Sequence, residues 1–305
     1  MIYNNPVALI GADRPHYLKR VLESLVGQVE NREVILFLDL NPAKAGLQAT
    51  QTKMAKSLIP HIKVVTRDRH FGCGNNLIDA RRKMFDKKEC DYAFILEDDL
   101  ILSPQYLTLC ENLMKWCEDN YDNVGAVQAW NECKQPDEWK EKRLDIVDVT
   151  YYNWWGYLLS RKTWDLIKDY LFEFQNKFLQ IPNYRRRDHL QIYKWMRKNQ
   201  SWVIPPDVGC PKSTKANQKC VAYFNKCFIT GQDAATMRAF ENAGIVRVST
   251  VVNRAQYIGE IGVHKTKPIF KKMGYHKMLM FQSENDCDLT TFQCLGEIEN
   301  ANLDN

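Results

Sequence analysis

The chain is 305 residues long, 45% hydrophobic and 26% charged, ordinary for a globular protein and enough for a sizeable core. Its net charge of +5 is too modest to call for nucleic acid, although it suits a protein that handles anionic phosphates. No apolar run reaches the roughly 18 residues of a membrane-spanning helix, and Met1-Ile2-Tyr3-Asn4-Asn5-Pro6 lacks the basic and apolar regions of a signal peptide.

The first hundred residues repeat a strand, a loop and a helix. Pro6 to Gly11 reads as a strand closed by glycine. Asp13 is the expected cap and Pro15 the first-turn proline of a helix whose apolar residues are Tyr17, Leu18, Val21, Leu22 and Leu25. Glu33 to Asp39 is a second strand ending in an acid, Leu47 to Leu58 a helix, and Ile62 to Val65 a third strand. Asn75 to Phe85 is a helix and Tyr92 to Leu96 a fourth strand. This alternation predicts an α/β, Rossmann-like half with a mostly parallel sheet flanked by helices.

Farther on, Ser103-Pro104 starts a helix through about Asp119, with Ser103 as its cap, and Val124 to Trp130 is a strand. Residues 133–143 are polar and read as an exposed loop. Asp145 to Tyr152 alternates like a strand, and helices follow over Lys162 to Phe174 and Asp188 to Lys198. Ser201 to Ile204 is strand-like, and 211–235 is polar and has no assignment. Val246 to Val252 is a strand, Asn253 to Gly274 a loop with a short helix, and the acidic tail after Gln282 is expected to fray. Ten cysteines, at 73, 90, 110, 117, 133, 210, 220, 227, 287 and 294, show no C-x-x-C pair and no zinc spacing. Without a secretion signal the expectation is reduced thiols and a cytoplasmic location.

The stretch that organises the rest is Tyr92-Ala93-Phe94-Ile95-Leu96-Glu97-Asp98-Asp99-Leu100. A buried strand runs into three consecutive acids at its C-terminal end, where open α/β sheets place ligands. Three adjacent carboxylates repel one another, and a hard cation such as Mn²⁺ or Mg²⁺ removes that cost while gripping phosphate oxygens. The competing reading is a solvated acidic turn. Arg69-His70-Phe71-Gly72-Cys73-Gly74-Asn75-Asn76 carries two glycines before a helix, a place where backbone approaches a phosphate or ribose.

At the acids the chain resembles a known family. Glu97-Asp98-Asp99-Leu100 with Ser103-Pro104-Gln105-Tyr106 is similar to the E-D-D-L-x-x-x-P-x-[FY] element of N-acetylglucosaminyltransferase I and its relatives. Ala129-Trp130-Asn131 and Trp154-Trp155-Gly156-Tyr157-Leu158-Leu159, with Trp164 beyond, resemble two further elements in the same order, and Asp13-Arg14 resembles the family's D-R. The likeness spans roughly residues 6–275 and is clearest from 92 to 164.

The resemblance implies a GT-A fold with a C-terminal acceptor-binding part, and an inverting transfer from a nucleotide diphosphate sugar with Mn²⁺ or Mg²⁺. The division it implies is 1–132 for the nucleotide sugar, 133–282 for acceptor and catalysis within the same compact unit, and 283–305 as an acidic tail. It makes Asp99 the metal ligand and sets Glu97 and Asp98 against the donor sugar, ribose or metal-bound water. Arg14 then lies near the nucleotide, Asp39 accepts a hydrogen bond from the base, and His70 matches a histidine-bearing segment. The acceptor's hydroxyl needs a base within about 3 Å; Asp188 corresponds to the family's aspartate, with Asp207 in reserve. Gly262-Val263-His264-Lys265 looks like the family's closing loop, where His264 would meet metal or pyrophosphate and Lys265 a phosphate oxygen. Trp154, Trp155 and Arg187 are the expected acceptor contacts.

UDP follows from resemblance only, and GDP stays open. The acceptor is expected to be a glycan or glycoconjugate; contact with a membrane surface and the oligomeric state are left open. The alternative reading is a catalytically silent nucleotide-sugar or glycan-binding protein on the same fold. A nucleotidyltransferase would want a glycine-rich signature with a lysine near the N-terminus, which Gly11-Ala12-Asp13-Arg14-Pro15 does not supply.

Overall fold

The computed structural model describes residues 3–44, 46–132, 137–151, 154–198, 214–215, 228–262, 265–278, 280–283 and 285–301. Eleven described strands are β1 (Val7–Gly11), β2 (Val34–Leu38), β3 (Lys63–Thr66), β4 (Tyr92–Glu97), β5 (Leu100–Leu102), β6 (Val124–Gln128), β7 (Ile146–Thr150), β8 (Tyr157–Ser160), β9 (Val246–Thr250), β10 (Ala255–Tyr257) and β11 (Gln293–Cys294). The described helices are α1 (Pro15–Leu25), α2 (Leu47–Leu58), α3 (Cys73–Arg82), α4 (Tyr106–Asn120), α5 (Asp137–Glu141), α6 (Arg161–Phe178), α7 (His189–Lys198), α8 (Gln232–Asn242), α9 (Lys267–Lys272) and α10 (Leu295–Ala301).

Nine strands form one sheet in the order β11-β7-β9-β6-β8-β4-β1-β2-β3, drawing on both halves of the sequence. β4, β1, β2 and β3 run parallel, as do β6 with β9 and β11 with β7, while β8 is antiparallel to both β4 and β6. The strands β1, β2, β7 and β9 are buried at every position; β1 and β2 accordingly read as near-continuous apolar runs, whereas β7 and β9 bury Asp148, Thr150, Arg247 and Ser249 among their valines.

Period-two alternation sends successive side chains to opposite faces. Leu9, Leu36, Phe94 and Leu158 pack with α1, α2 and α4 on one side. Ala8, Ile35, Ile95 and Leu159 pack with α3, α6 and α8 on the other. The result is a three-layer α/β sandwich whose parallel strands β1, β2 and β4 deliver Gly11, Leu38 and Glu97 to one edge.

Several expectations need correction. The tail is not frayed over 285–301: β11 pairs with β7, Phe292, Cys294 and Leu295 are buried, and Arg254 forms a fully buried ion pair with Asp286. Residues 137–141 form a short helix rather than loop, and part of the unassigned stretch 211–235 begins α8. Asp13 does not cap α1; its carboxylate takes Asn41 and Lys44. Ser103 does not cap α4, which starts at Tyr106 behind Gln105. Ser201 to Ile204 lies outside the described residues. Among the described residues no helix is long and apolar enough to cross a membrane.

Candidate active site

The acids follow the end of β4 and make a tight turn into β5. Register fixes their surroundings: Glu97 lies beside Ile10 at the end of β1, and the chain leaving β1 brings Ala12 N to 3.3 Å of Asp98 Oδ2. Arg14, at the start of α1, then reaches back across the edge. Its guanidinium pairs with Asp98 Oδ1 and, at 2.7 Å, with Asp99 Oδ2. Asp98 and Asp99 are 2% and 5% exposed, so this is a largely desolvated cluster. Burial would lower the Arg14 pKa, but Asp99 and Asp98 more than offset it and raise it. Burial pushes Asp98 up to about 6 against the pull of Arg14, and burial together with Asp99 and Asp233 raises Glu97 well above the carboxylate range.

One atom in the cluster has no partner. Asp99 Oδ1 is buried and accepts no hydrogen bond among the described residues. An ionised carboxylate oxygen in that state is costly to hold, and a divalent cation is a natural partner for it. Among the described residues no group of three or more His, Cys, Asp or Glu side chains encloses a metal position alone. A cation on Asp99 therefore needs oxygens from a ligand or water to complete its shell.

A fourth carboxylate belongs to the same neighbourhood. Asp233 stands in the first turn of α8, within the field of Asp99. Burial raises its pKa to about 6, opposed by Arg81 and Arg247. Both arginines are sequestered at 0–1% exposure and held by hydroxyls. Arg81 donates to Tyr157 Oη and, at 3.3 Å, to Thr236 Oγ1 on α8. Arg247 donates to Thr150 Oγ1 at 3.0 Å and lies over the Trp154 ring. Cys73, at the start of α3 and open to solvent, lies within the field of Glu97 and Asp233.

The turn after β10 covers the acids from the other side. β10 pairs antiparallel with β5, and the ladder continues as Ile258 N donates to Asp99 O at 2.8 Å. Gly259 then passes so close that a Cβ would lie 2.6 Å from Asp99 Oδ2 and would press into Tyr257 Oη. Tyr257 stacks on Trp155 at 3.9 Å between ring centres, and Trp130 and Tyr275 complete an aromatic group. Lys265 sits over the Tyr275 ring, donates to its hydroxyl at 3.3 Å, and has its pKa lowered by burial against the pull of Glu132. A cavity of about 290 Å³ lined by Glu33, Ile35 and four lysines lies at the opposite, N-terminal ends of β2 and β3, away from these residues.

Residues 8–183 match the glycosyl transferase family 2 domain. The chain belongs to glycosyl transferase family 2. Its mostly parallel sheet flanked by helices is a GT-A type α/β fold. The match is to this wider family, not to the N-acetylglucosaminyltransferase I group that the motifs resemble. Among curated proteins, none matches the chain. Among solved structures, the glycosyltransferase GlyE of Streptococcus pneumoniae TIGR4 is 15% identical with a TM-score of 0.36, over 57% of this chain and 39% of that one. The galactosyltransferase LgtC with donor and acceptor sugar analogues is 11% identical with a TM-score of 0.38, over 79% and 72%. GalNAc-T7 with UDP, GalNAc and Mn²⁺ is 15% identical with a TM-score of 0.36, over 53% and 36%. Family membership rests on the sequence match, and these partial likenesses add nothing to it.

The structure gathers Arg14, Glu97, Asp98 and Asp99 into one cluster, with Lys265 within the field of Asp99. His264 and Asp207 lie outside the described residues. Asp39 accepts from the Leu40, Phe71 and Gly72 N–H groups at 2.7–2.9 Å and lies 3.0 Å from His70 Nδ1, which also faces the Leu40 carbonyl at 3.0 Å. These contacts tie it to the 70–72 loop, with two N–H groups on Oδ1 and one on Oδ2. His70 is 43% exposed.

Asp188 is exposed and its Oδ1 accepts from Gln191 N at 2.9 Å, the geometry of a helix cap on α7. Arg187 is 8% exposed and donates from Nε to the Ile181 carbonyl and from Nη2 to the Pro182 carbonyl. Neither tryptophan faces solvent: Trp154 packs against Phe240 and Tyr157 in one layer, Trp155 against Tyr257 in the other. Sequence reasoning missed Asp233, Arg81 and Arg247. The one available signal was Gly231-Gln232-Asp233, a turn and an acid opening a helix.

Proposed function

We propose that the chain transfers a sugar, with inversion, from a nucleotide diphosphate sugar to a hydroxyl of a glycan or glycoconjugate, and that Asp99 carries the divalent cation, Mn²⁺ or Mg²⁺. The observation that carries this reading is the buried Asp99 Oδ1, without a hydrogen-bond partner among the described residues, at the C-terminal edge of the parallel sheet in a family 2 chain. When bound, the cation supplies positive charge against the departing diphosphate. UDP is the donor nucleotide suggested by the resemblance of the E-D-D-L element.

The chain's own residues do the remaining work. Lys265, half-buried and within the field of Asp99, is a candidate to hold a phosphate oxygen, and His264 on the same segment is a second. Glu97 and Asp98 bind donor hydroxyls or ordered water. We assign the base to Asp233 rather than Asp188, because Asp233 is the carboxylate within the field of Asp99 while Asp188 is engaged as a cap. Its raised pKa matches a group that takes a proton from the acceptor hydroxyl near neutral pH. The charges of Arg81 and Arg247 favour its ionised form.

The test is transfer or donor hydrolysis measured with UDP-sugars and Mn²⁺. Asp99→Ala and excess EDTA should each remove about 10²-fold or more of the rate, the scale of a lost electrostatic contact to developing charge. An unchanged rate under both treatments would eliminate the metal assignment.

A further inference from the structure

Arg14 occupies an unusual place. Its side chain is only 23% exposed, and one guanidinium bridges the two buried acids of the turn. The Nη1 that binds Asp99 Oδ2 at 2.7 Å also faces the Ile261 carbonyl at 3.4 Å. A single nitrogen thus joins the acid turn to the turn at 259–262. The other oxygen of the same carboxylate, Oδ1, is buried and has no hydrogen-bond partner among the described residues.

A divalent ion on Oδ1 would share a carboxylate with that guanidinium. Like charges a few ångströms apart repel strongly where water is scarce. Asp98 offers Arg14 a second partner, so it can release Asp99 without losing all compensation. Resting on the metal reading above, we propose that Arg14 is the resident counter-cation of Asp99, and that a divalent cation enters by exchange with it. Arg14 then withdraws toward Asp98 and lets go of the Ile261 carbonyl. Cation entry and release of the 259–262 turn are one event, with no covalent step. The turn stays held down until the cation arrives.

The experiment uses the full chain and Mn²⁺ alone. Free Mn²⁺ is titrated by electron paramagnetic resonance for wild type and Arg14→Met, and hydrogen exchange is followed in the peptide covering 258–262 with and without Mn²⁺. The expected result is Mn²⁺ uptake about tenfold or more tighter in Arg14→Met, a change readily produced by removing one nearby positive charge. Mn²⁺ should also speed exchange of the 258–262 peptide in wild type but not in the variant, where the turn is already free. Equal or weaker uptake by Arg14→Met, or wild-type exchange unmoved by bound Mn²⁺, overturns the proposal. If the variant does not fold, the wild-type exchange measurement alone decides. No uptake by either protein rejects the cation reading itself, which separates that failure from failure of the exchange.

Discussion

Two aspartates compete for the role of base, and their surroundings separate them. Asp188 is exposed and its oxygen accepts an N–H three residues on, as an N-cap does. Asp233 shares the field of Asp99 and is held near a pKa of about 6 by burial working against Arg81 and Arg247. Asp233→Asn should keep the fold and lose about 10²–10⁴-fold in kcat, the range for a lost general base. Asp188→Ala should lower stability by about 1 kcal/mol and leave turnover near normal. The base must be ionised, so transfer should fall as pH drops through about 6 or below, since a cation on Asp99 removes part of the upward push. Turnover assays of both variants over a pH series check this; the reverse ranking returns the role to Asp188.

At the scale of elements, the acid turn is built by contacts between distant segments. Gly156 has φ +62°, a left-handed conformation, and a Cβ there would press into Leu100 and come within 3.3 Å of Tyr106 Oη. Tyr106 Oη in turn donates to the Gly156 carbonyl. The E-D-D-L and W-W-G motifs are therefore two sides of one packing contact. Gly156→Ala should cost about 2–4 kcal/mol, combining αL strain with overpacking, and shift Leu100 beside Asp99. Urea denaturation with a parallel activity assay reads both; a loss under 0.5 kcal/mol would mean that the contact relaxes freely. Strands β1, β2 and β4 were legible because each is an apolar run buried on both faces, whereas the short β5, β8 and β10 around the acid turn were not assigned. Helix α8 was not. Gln232, Thr236 and Arg238 are buried beside Ala234, Ala235, Met237, Ala239 and Phe240, so no one-sided apolar stripe marks it. The base candidate was lost with its helix.

At the scale of the whole molecule, the C-terminal segment is a working part of the sheet rather than an appendage. Its acidity suggested fraying because average charge hides Phe292, Cys294 and Leu295, and because the partner of Asp286 lies 32 residues away in the sequence. Arg254 donates to both carboxylate oxygens of Asp286 at 2.9 Å and to the Val252 and Leu144 carbonyls. Its backbone N–H meets Ala129 O and its carbonyl accepts from Ser103 N, each at 2.8 Å. The Arg254 backbone thus ties the end of β6 to the end of β5, while its side chain holds the C-terminal segment. Both partners of the ion pair are at most 1% exposed, so removing one strands a charge in a dry interior. Asp286→Ala should cost about 3–5 kcal/mol, whereas replacing both residues, Asp286→Leu with Arg254→Met, should recover much of it. Because the pair is buried, the loss should persist in 1 M salt, where the roughly 3 Å Debye length removes surface effects. Thermal and urea unfolding at low and high salt measure this. A single-variant cost below 1 kcal/mol, or one that salt abolishes, would show that the segment is held by its apolar residues alone and that Arg254 does not couple it to the strand pair beside Asp99.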